Sequence, residues 1–335
     1  MQTEHNIRLT SAEMSNLWNT YMNDSAAICT LKYFLEKVQD TEIKPIVEYA
    51  LELSQKHIQY LTKLFHQENH PIPQGFGEED VDVNAPALFL DTFYLHYMKQ
   101  MSRIGIGAHG LAISLAARSD IRKFYQDCLQ EAVVLDEKVT NVEQSKGLYI
   151  RPPFLSSPSK VEFVKKQNFL GHLLGEQRPL LALEITHLYA NIQTNALGSA
   201  LITGFSQAAQ SKTVREYMVR GRDIASKHIE VFGSILSGSH LKAPITWNDT
   251  VTNSTASPLS DKLMMFHVGA IAAVGIADYG ASLAISMRRD LAAHYVRLTA
   301  EIAQFAEDGA NIMIKNGWME QPPQAEDRNV LAEQI

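Results

Sequence analysis

Cysteine is scarce in this 335-residue chain: only Cys29 and Cys128 occur, and there is no Cys-x-x-Cys pair. A disulfide framework is therefore absent, and the two thiols read as small buried hydrophobes in a reducing compartment. Positive charge is not in excess either, with Lys+Arg 30 against Asp+Glu 37 and a formal net charge of −7. Basic residues are spread along the chain, so nucleic acid is not an expected partner, and acidity of this size favours solubility. Neither a glycine-rich phosphate loop nor Gly-x-Ser-x-Gly is present, and no convincing strand can be found, which removes the usual nucleotide and hydrolase folds. Met1 to Arg8 is polar and lacks the basic-then-apolar plan of a secretory signal. Met264 to Met287 is the most membrane-like stretch, yet it carries His267 and Asp278, so a buried helix is expected and no transmembrane segment.

What the chain has is a repeat. Lys56, His57 and Ile58 return as Lys227, His228 and Ile229, 171 residues later. The heptad stripe around them returns as well: Val47, Ala50, Ser54, His57, Leu61 and Leu64 become Met218, Gly221, Ala225, His228, Phe232 and Ile235. Upstream, Glu13, Leu17 and Phe34 match Glu184, Leu188 and Phe205 at the same offset. Downstream, Asp91, Gly105, Gly110, Asp120, Tyr125 and Gly147 match Asp261, Gly275, Gly280, Asp290, Tyr295 and Gly317 at an offset of 170. The one-residue deletion falls in a long loop, where a duplicated bundle tolerates it.

Each copy reads as four helices. Thr10-Ser11-Ala12-Glu13 is a helix start, and the first helix ends at Gln39-Asp40-Thr41, a break short enough to force an antiparallel hairpin. The second helix runs from about Ile43 to Phe65. A Pro-, Gly- and acid-rich loop from His70 to Pro86 is long enough to traverse a bundle lengthwise, so the third helix, Ala87 to Ala117, starts at the far end, parallel to the second. The fourth, Ser119 to Lys146, ends at Gly147 before Pro152-Pro153. Two hairpins joined by one crossover define an all-α, ferritin-like four-helix bundle, here two in tandem. The expected divisions are 1–150 for the first bundle, 151–179 for a linker, 180–323 for the second bundle and 324–335 for a polar tail. The linker holds Val161, Phe163, Val164, Phe169, Leu170, Leu173 and Leu174; a short apolar helix packed between the bundles is expected, against a docking surface for a protein or a membrane. Small residues from Gly269 to Ala273 and at Gly280-Ala281 point to close helix packing.

Leu9-Thr10-Ser11-Ala12-Glu13, Asn16-Leu17-Trp18, the run Leu51 to Ile58, Lys146 to Pro153 and Glu307 to Trp318 resemble a family of endospore-forming bacteria, the domain-of-unknown-function family 3231. Its members are tandem ferritin-like proteins distantly similar to spore coat F proteins. The resemblance implies the fold and a cytoplasmic or spore-associated location. It assigns no catalytic residue.

The chemistry-bearing residues fall at one helical height. Measured at 1.5 Å per residue, Asp24, His57 and Glu131 lie within roughly 6 Å of one layer. The second copy places Asn195, His228 and Glu301 there, and Asp278 reaches the same height in place of Ala108, leaving His109 as the nearest first-copy residue. One reading is a buried hydrogen-bonded cluster that fixes helix register. The other is a metal site, with a single ion on His and one or two carboxylates. A di-metal centre with paired Glu-x-x-His motifs does not fit, because the one such motif, Glu184 to His187, lies about two turns or more below the layer. Function is thus expected to be structural or interaction-mediating, spore or stress associated, with a protein partner or homo-oligomer, and a metal-dependent oxidoreductase or metal-binding protein holding one or two ions in the bundle cores as the alternative. The two cysteines are about 13 Å apart in height and should be free.

Overall fold

The structure, a computed structural model, describes residues 7–173, 175 and 177–332. Eight long helices carry the fold: α1 Ser11–Lys37, α2 Lys44–Gln67, α3 Asp91–Leu115 and α4 Ser119–Ser145, then α5 Ala182–Ala208, α6 Lys212–Gly238, α7 Asp261–Ile285 and α8 Arg289–Lys315. A short α9, Arg328–Ala332, follows in the tail. In the first copy α1 packs on α2 and α3, and α4 on α3 and α2; the second copy repeats this with α5 to α8.

Two carboxylates fix the helix directions. Glu13, 1% exposed, caps α1 through Thr10 and also accepts from the backbone N–H of Ala117 and Arg118, tying the start of α1 to the corner between α3 and α4. Asp91 opens α3 and accepts from the N–H of Gln39 and Asp40, tying the start of α3 to the corner between α1 and α2. Helices α2 and α3 therefore start at the same end and run parallel, with residues 68–90 crossing the bundle lengthwise. Glu184 with Arg288, and Asp261 with Gln210 and Ser211, repeat both ties. Each tie satisfies backbone donors that a tight corner leaves free and places a carboxylate at a helix N-terminus. Gly147 and Gly317, at φ +68° and +67°, close α4 and α8 in the left-handed region that glycine tolerates.

Helix α3 starts at Asp91, four residues later than the apolar pattern from Ala87 suggests. Those residues are extended because the two crossovers pair with each other. Val81 bridges Leu259, and Phe89 bridges Val251. At the repeat offset Val81 corresponds to Val251 and Phe89 to Leu259, so the pairing is that of an isologous two-fold. The bonds obey it: Asp82 N–H donates to Pro258 O and Thr252 N–H to Leu88 O, while Ser260 N–H donates to Asp80 O and Leu90 N–H to Thr250 O.

Around this axis the cores merge. One cluster runs from Leu31, Phe34 and Phe93 of the first bundle to Leu197, Met264 and Phe305 of the second. Buried His267 joins the halves by hydrogen bonds with Tyr97 (2.9 Å) and Thr30 (3.3 Å). Each distal end keeps a cluster of its own, around Leu17, Phe65 and Tyr125 in one bundle and Leu188, Phe232 and Tyr295 in the other. Every such fully buried apolar side chain contributes roughly 1.5–3 kcal/mol.

One sequence expectation fails and another holds in part. The linker forms no packed apolar helix: among its described residues the one helical element is a turn at Gln167–Leu170, and Phe154, Val161 and Phe163 are more than 80% exposed. Pro152, Pro153 and Pro158 interrupt helix formation in its first part. Leu174 lies outside the described residues. The small residues of α7 mediate close packing in part: Ala272 and Gly275 lie on the buried face with Leu263, Met264, Val268 and Tyr279, whereas Gly269, Ala273, Gly280 and Ala281 face outward. Nothing in the structure explains that outward choice. Among the described residues α7 is the one helix long and apolar enough to cross a membrane; it packs against α5 and α8.

Candidate functional site

In the first bundle α1, α2 and α4 bring Asp24, His57 and Glu131 together. His57 lies on the buried stripe of α2 and is 6% exposed. Its Nδ1 is 3.1 Å from Asp24 Oδ2 and its Nε2 is 2.9 Å from Glu131 Oε2. Lys56, one residue earlier and facing solvent, bonds the other oxygen of Glu131. A ring held between two carboxylates donates from both nitrogens only as imidazolium. Burial alone would drive His57 toward its neutral form, but Asp24, Cys128 and Glu131 outweigh it and push its pKa up to about 12. Burial likewise opposes ionisation of Glu131, and His57 with Lys56 reverses this, leaving its carboxyl below the usual value.

Cys128 lies one helical turn before Glu131, and the thiol, carboxylate and His57 nitrogen lie within 4.8 Å of one another. His109, from α3, meets the His57 ring edge-on at 6.3 Å. Burial pushes its pKa down to about 4, with His57 adding repulsion and the carboxylates opposing. The layer thus combines one imidazolium, one neutral imidazole, a thiol and two carboxylates.

The second bundle keeps part of this. His228, fully buried, has Nε2 3.2 Å from Glu301 Oε2, and Lys227 bonds Glu301 at 2.8 Å. On the other side of the ring no carboxylate stands among the described residues. Nδ1 pairs at 2.9 Å with the hydroxyl of Tyr279, which itself accepts from Asn195 Nδ2 at 2.8 Å. Burial now dominates, and the His228 pKa is lowered despite Glu301. The same Lys-His-Glu frame therefore holds a charged histidine in one copy and a neutral one in the other.

Of the residues singled out from sequence, His57, Asp24 and Glu131 meet directly, His228 and Glu301 meet directly, and Asn195 joins through Tyr279. Asp278 does not join. Adjacent helical residues point about 100° apart, and Tyr279 takes the inward direction, so Asp278 faces Thr194 at 3.5 Å instead. Tyr279 is the equivalent of His109 and was missed because a tyrosine on a core stripe carries no distinguishing signal. Cys128 could have been found from its i, i+3 spacing to Glu131. The Glu184 to His187 motif is occupied structurally, Glu184 by Arg178 and the Arg288 N–H, and His187 by Ser282. Cys29 and Cys128 are free and buried.

The chain matches the family described as "Protein of unknown function (DUF3231)" over residues 1–161 and 168–331, once per repeat. No curated protein matches it. Among solved structures it is similar to one described as a "putative spore coat protein" from Bacillus halodurans C-125, at 18% identity and a TM-score of 0.41. That match covers 45% of this chain and 98% of the other. Likeness at this level says nothing about activity.

Proposed function

The chain belongs to the DUF3231 family, and we propose that it is a structural or interaction-mediating protein built on two ferritin-like bundles, each pinned in register by a buried polar layer. One observation carries this reading: both ring nitrogens of His57 and both of His228 are occupied by protein partners. A buried ring bonded on both sides rigidifies a core and fixes which residues face each other. The domain limits at 150, 179 and 323 belong to the same proposal, as does a cytoplasmic or spore-associated location, which the free buried thiols fit.

A second reading has its own support, in the first bundle alone. His57 Nε2, Cys128 Sγ and a Glu131 oxygen could hold one borderline ion such as zinc or cobalt(II), with His109 or Asp24 beside them. Binding would require a neutral His57 and a thiolate, and would release protons. Leu298 replaces Cys128 in the second bundle, so one ion per chain is the expected stoichiometry.

Denaturant melts and metal analysis separate the readings. If the layer is structural, His57→Leu alone costs about 3–5 kcal/mol by stranding Asp24 and leaving Glu131 with Lys56 alone, adding Asp24→Asn and Glu131→Gln recovers much of the loss, and chelator changes nothing. If an ion is bound, it copurifies at one per chain, Cys128→Ser abolishes it, and chelator lowers the parent's stability. That second pattern would overturn the structural reading.

A further inference from the structure

A cleft of about 400 Å³ opens where α3 and α4 of the first bundle meet α5 and the second crossover. It shares no residue with the histidine layers. Its volume falls in the range of small-molecule sites, and it combines aromatic walls with a few charged groups. His96 and Glu143, 5% and 4% exposed, form a pair through Nδ1 at 3.0 Å. Trp247 stacks on His96 at 4.3 Å and 23°. Lys99 bonds Asp136 at 2.8 Å and Thr140 at 2.6 Å.

The internal duplication tests whether the fold needs these groups. At the two-fold related place, His96, Lys99, Arg103, Asp136 and Glu143 are replaced by Phe266, Gly269, Ala273, Ala306 and Met313, and Phe266 packs on Phe76. The same helices thus pack there with none of these charged or ionisable side chains. A buried His-Glu pair costs desolvation that an apolar pair avoids, so its presence on one side alone calls for another reason.

Charge balance defines what the cleft would take. Lys99 with Asp136, and His96 with Glu143, pair within the protein. Arg103 is left with one long bond, 3.4 Å, to Gln100 on its own helix. Asp278 is near enough to feel its charge but forms no ion pair with it among the described residues. His96 has Nδ1 committed to Glu143, while Nε2 has no hydrogen-bond partner among the described residues. A planar guanidinium with free donors suits a carboxylate, and Trp247 and Tyr149 supply flat apolar surface. We propose that this cleft binds a small planar organic monoanion, an aromatic carboxylate, with its acid group on Arg103, a polar atom within reach of His96 Nε2 and its ring against Trp247.

Calorimetric titration of the full chain with 2-naphthoate, and with neutral 2-naphthamide as the isostere, tests this. The expected result is saturable one-to-one binding of the acid, at least tenfold tighter than the amide. Arg103→Ala should remove that preference, and Trp247→Leu should weaken both ligands while circular dichroism stays unchanged. Arg103→Gln serves as the second variant, keeping a side chain of similar length without the charge, and it should behave as Arg103→Ala does. No binding of the acid at millimolar concentration, equal binding of acid and amide, or a preference that survives both Arg103 variants would each overturn the assignment. Failure here leaves the layer mutants unaffected, so the two proposals fall separately.

Discussion

Asp24→Asn probes why two histidines in equivalent frames carry different charge. The substitution keeps shape and removes one of the two carboxylates that make His57 an imidazolium. The mutant has a satisfied alternative: a neutral His57 whose Nε2–H donates to Glu131 and whose Nδ1 accepts from the new amide, much as His228 Nδ1 pairs with Tyr279. It should therefore fold, at a cost of about 2–4 kcal/mol near pH 7.5, the scale for losing a hydrogen bond to a buried charge. The pH dependence is the sharper test. A histidine whose folded pKa is raised from 6.5 to about 12 contributes stability that is complete below 6.5 and is lost as pH rises toward 12. Between about pH 7.5 and 9.5 the folded parent holds one proton that the unfolded chain has lost, a slope of roughly 1.4 kcal/mol per pH unit. The mutant, with His57 neutral, lacks that slope, and other groups cancel in the difference. Urea melts of both proteins at half-unit steps should show the stability gap shrinking by about 1.4 kcal/mol per unit across this window. A constant gap, or ring nitrogen chemical shifts showing a neutral His57 in the parent at pH 8, would refute the reasoning.

Tyr279→Phe removes one hydroxyl that serves both His228 and Asn195, and should destabilise by about 1–3 kcal/mol because buried polar groups lose their partner; a melt indistinguishable from the parent would show that the second layer does not depend on it. Residues 1–150 expressed alone should form a concentration-dependent dimer, because the exposed crossover carries both halves of the Val81 and Phe89 pairing and the cut uncovers the shared core; a well-folded monomer in sedimentation would contradict the merged-core description.

The bundle topology was legible because it rests on local signals. Thr10 with Glu13, Gly147 before Pro152-Pro153, and the long loop before Asp91 each state a helix start, a stop or a crossover without reference to the rest of the chain. Layer membership was legible to the accuracy of a ruler: rise per residue gave the common height of Asp24, His57 and Glu131, but facing direction separated Asp278 from Tyr279 by one residue. What sequence could not supply was the relation between the bundles. The pairing of residues 80–90 with 250–260 involves loop backbone whose composition, with Asp, Asn and Pro in the first segment and Ser, Thr, Asn and Pro in the second, resembles any exposed connection. Likewise the cleft needs Trp247 to meet His96, a contact between segments 151 residues apart in sequence, counting from position 96 to 247.

The duplication has been used unequally. At the layer, the first copy has Asp24, His109 and Cys128 where the second has Asn195, Tyr279 and Leu298. At the junction, the first copy's α3 and α4 carry the charged groups of the cleft while α7 and α8 present glycine, alanine and methionine. Parts needed for stability are the ones both copies retain: the carboxylate ties at the helix corners, the left-handed glycines after α4 and α8, and the Lys-His-Glu frame. That separation gives a physical ground for distinguishing scaffold from specialised chemistry without any other sequence. A residue kept in both copies is explained by what each bundle requires, whereas a buried polar residue present in one copy, at a position the other fills with hydrocarbon, incurs desolvation that packing does not demand. By that criterion each half carries polar groups the fold does not demand: the ionisable cluster of the cleft lies in the first, while the second holds Ser199, Asp278 and Ser282 where the first has Ile28, Ala108 and Ala112 and contributes one indole to the cleft.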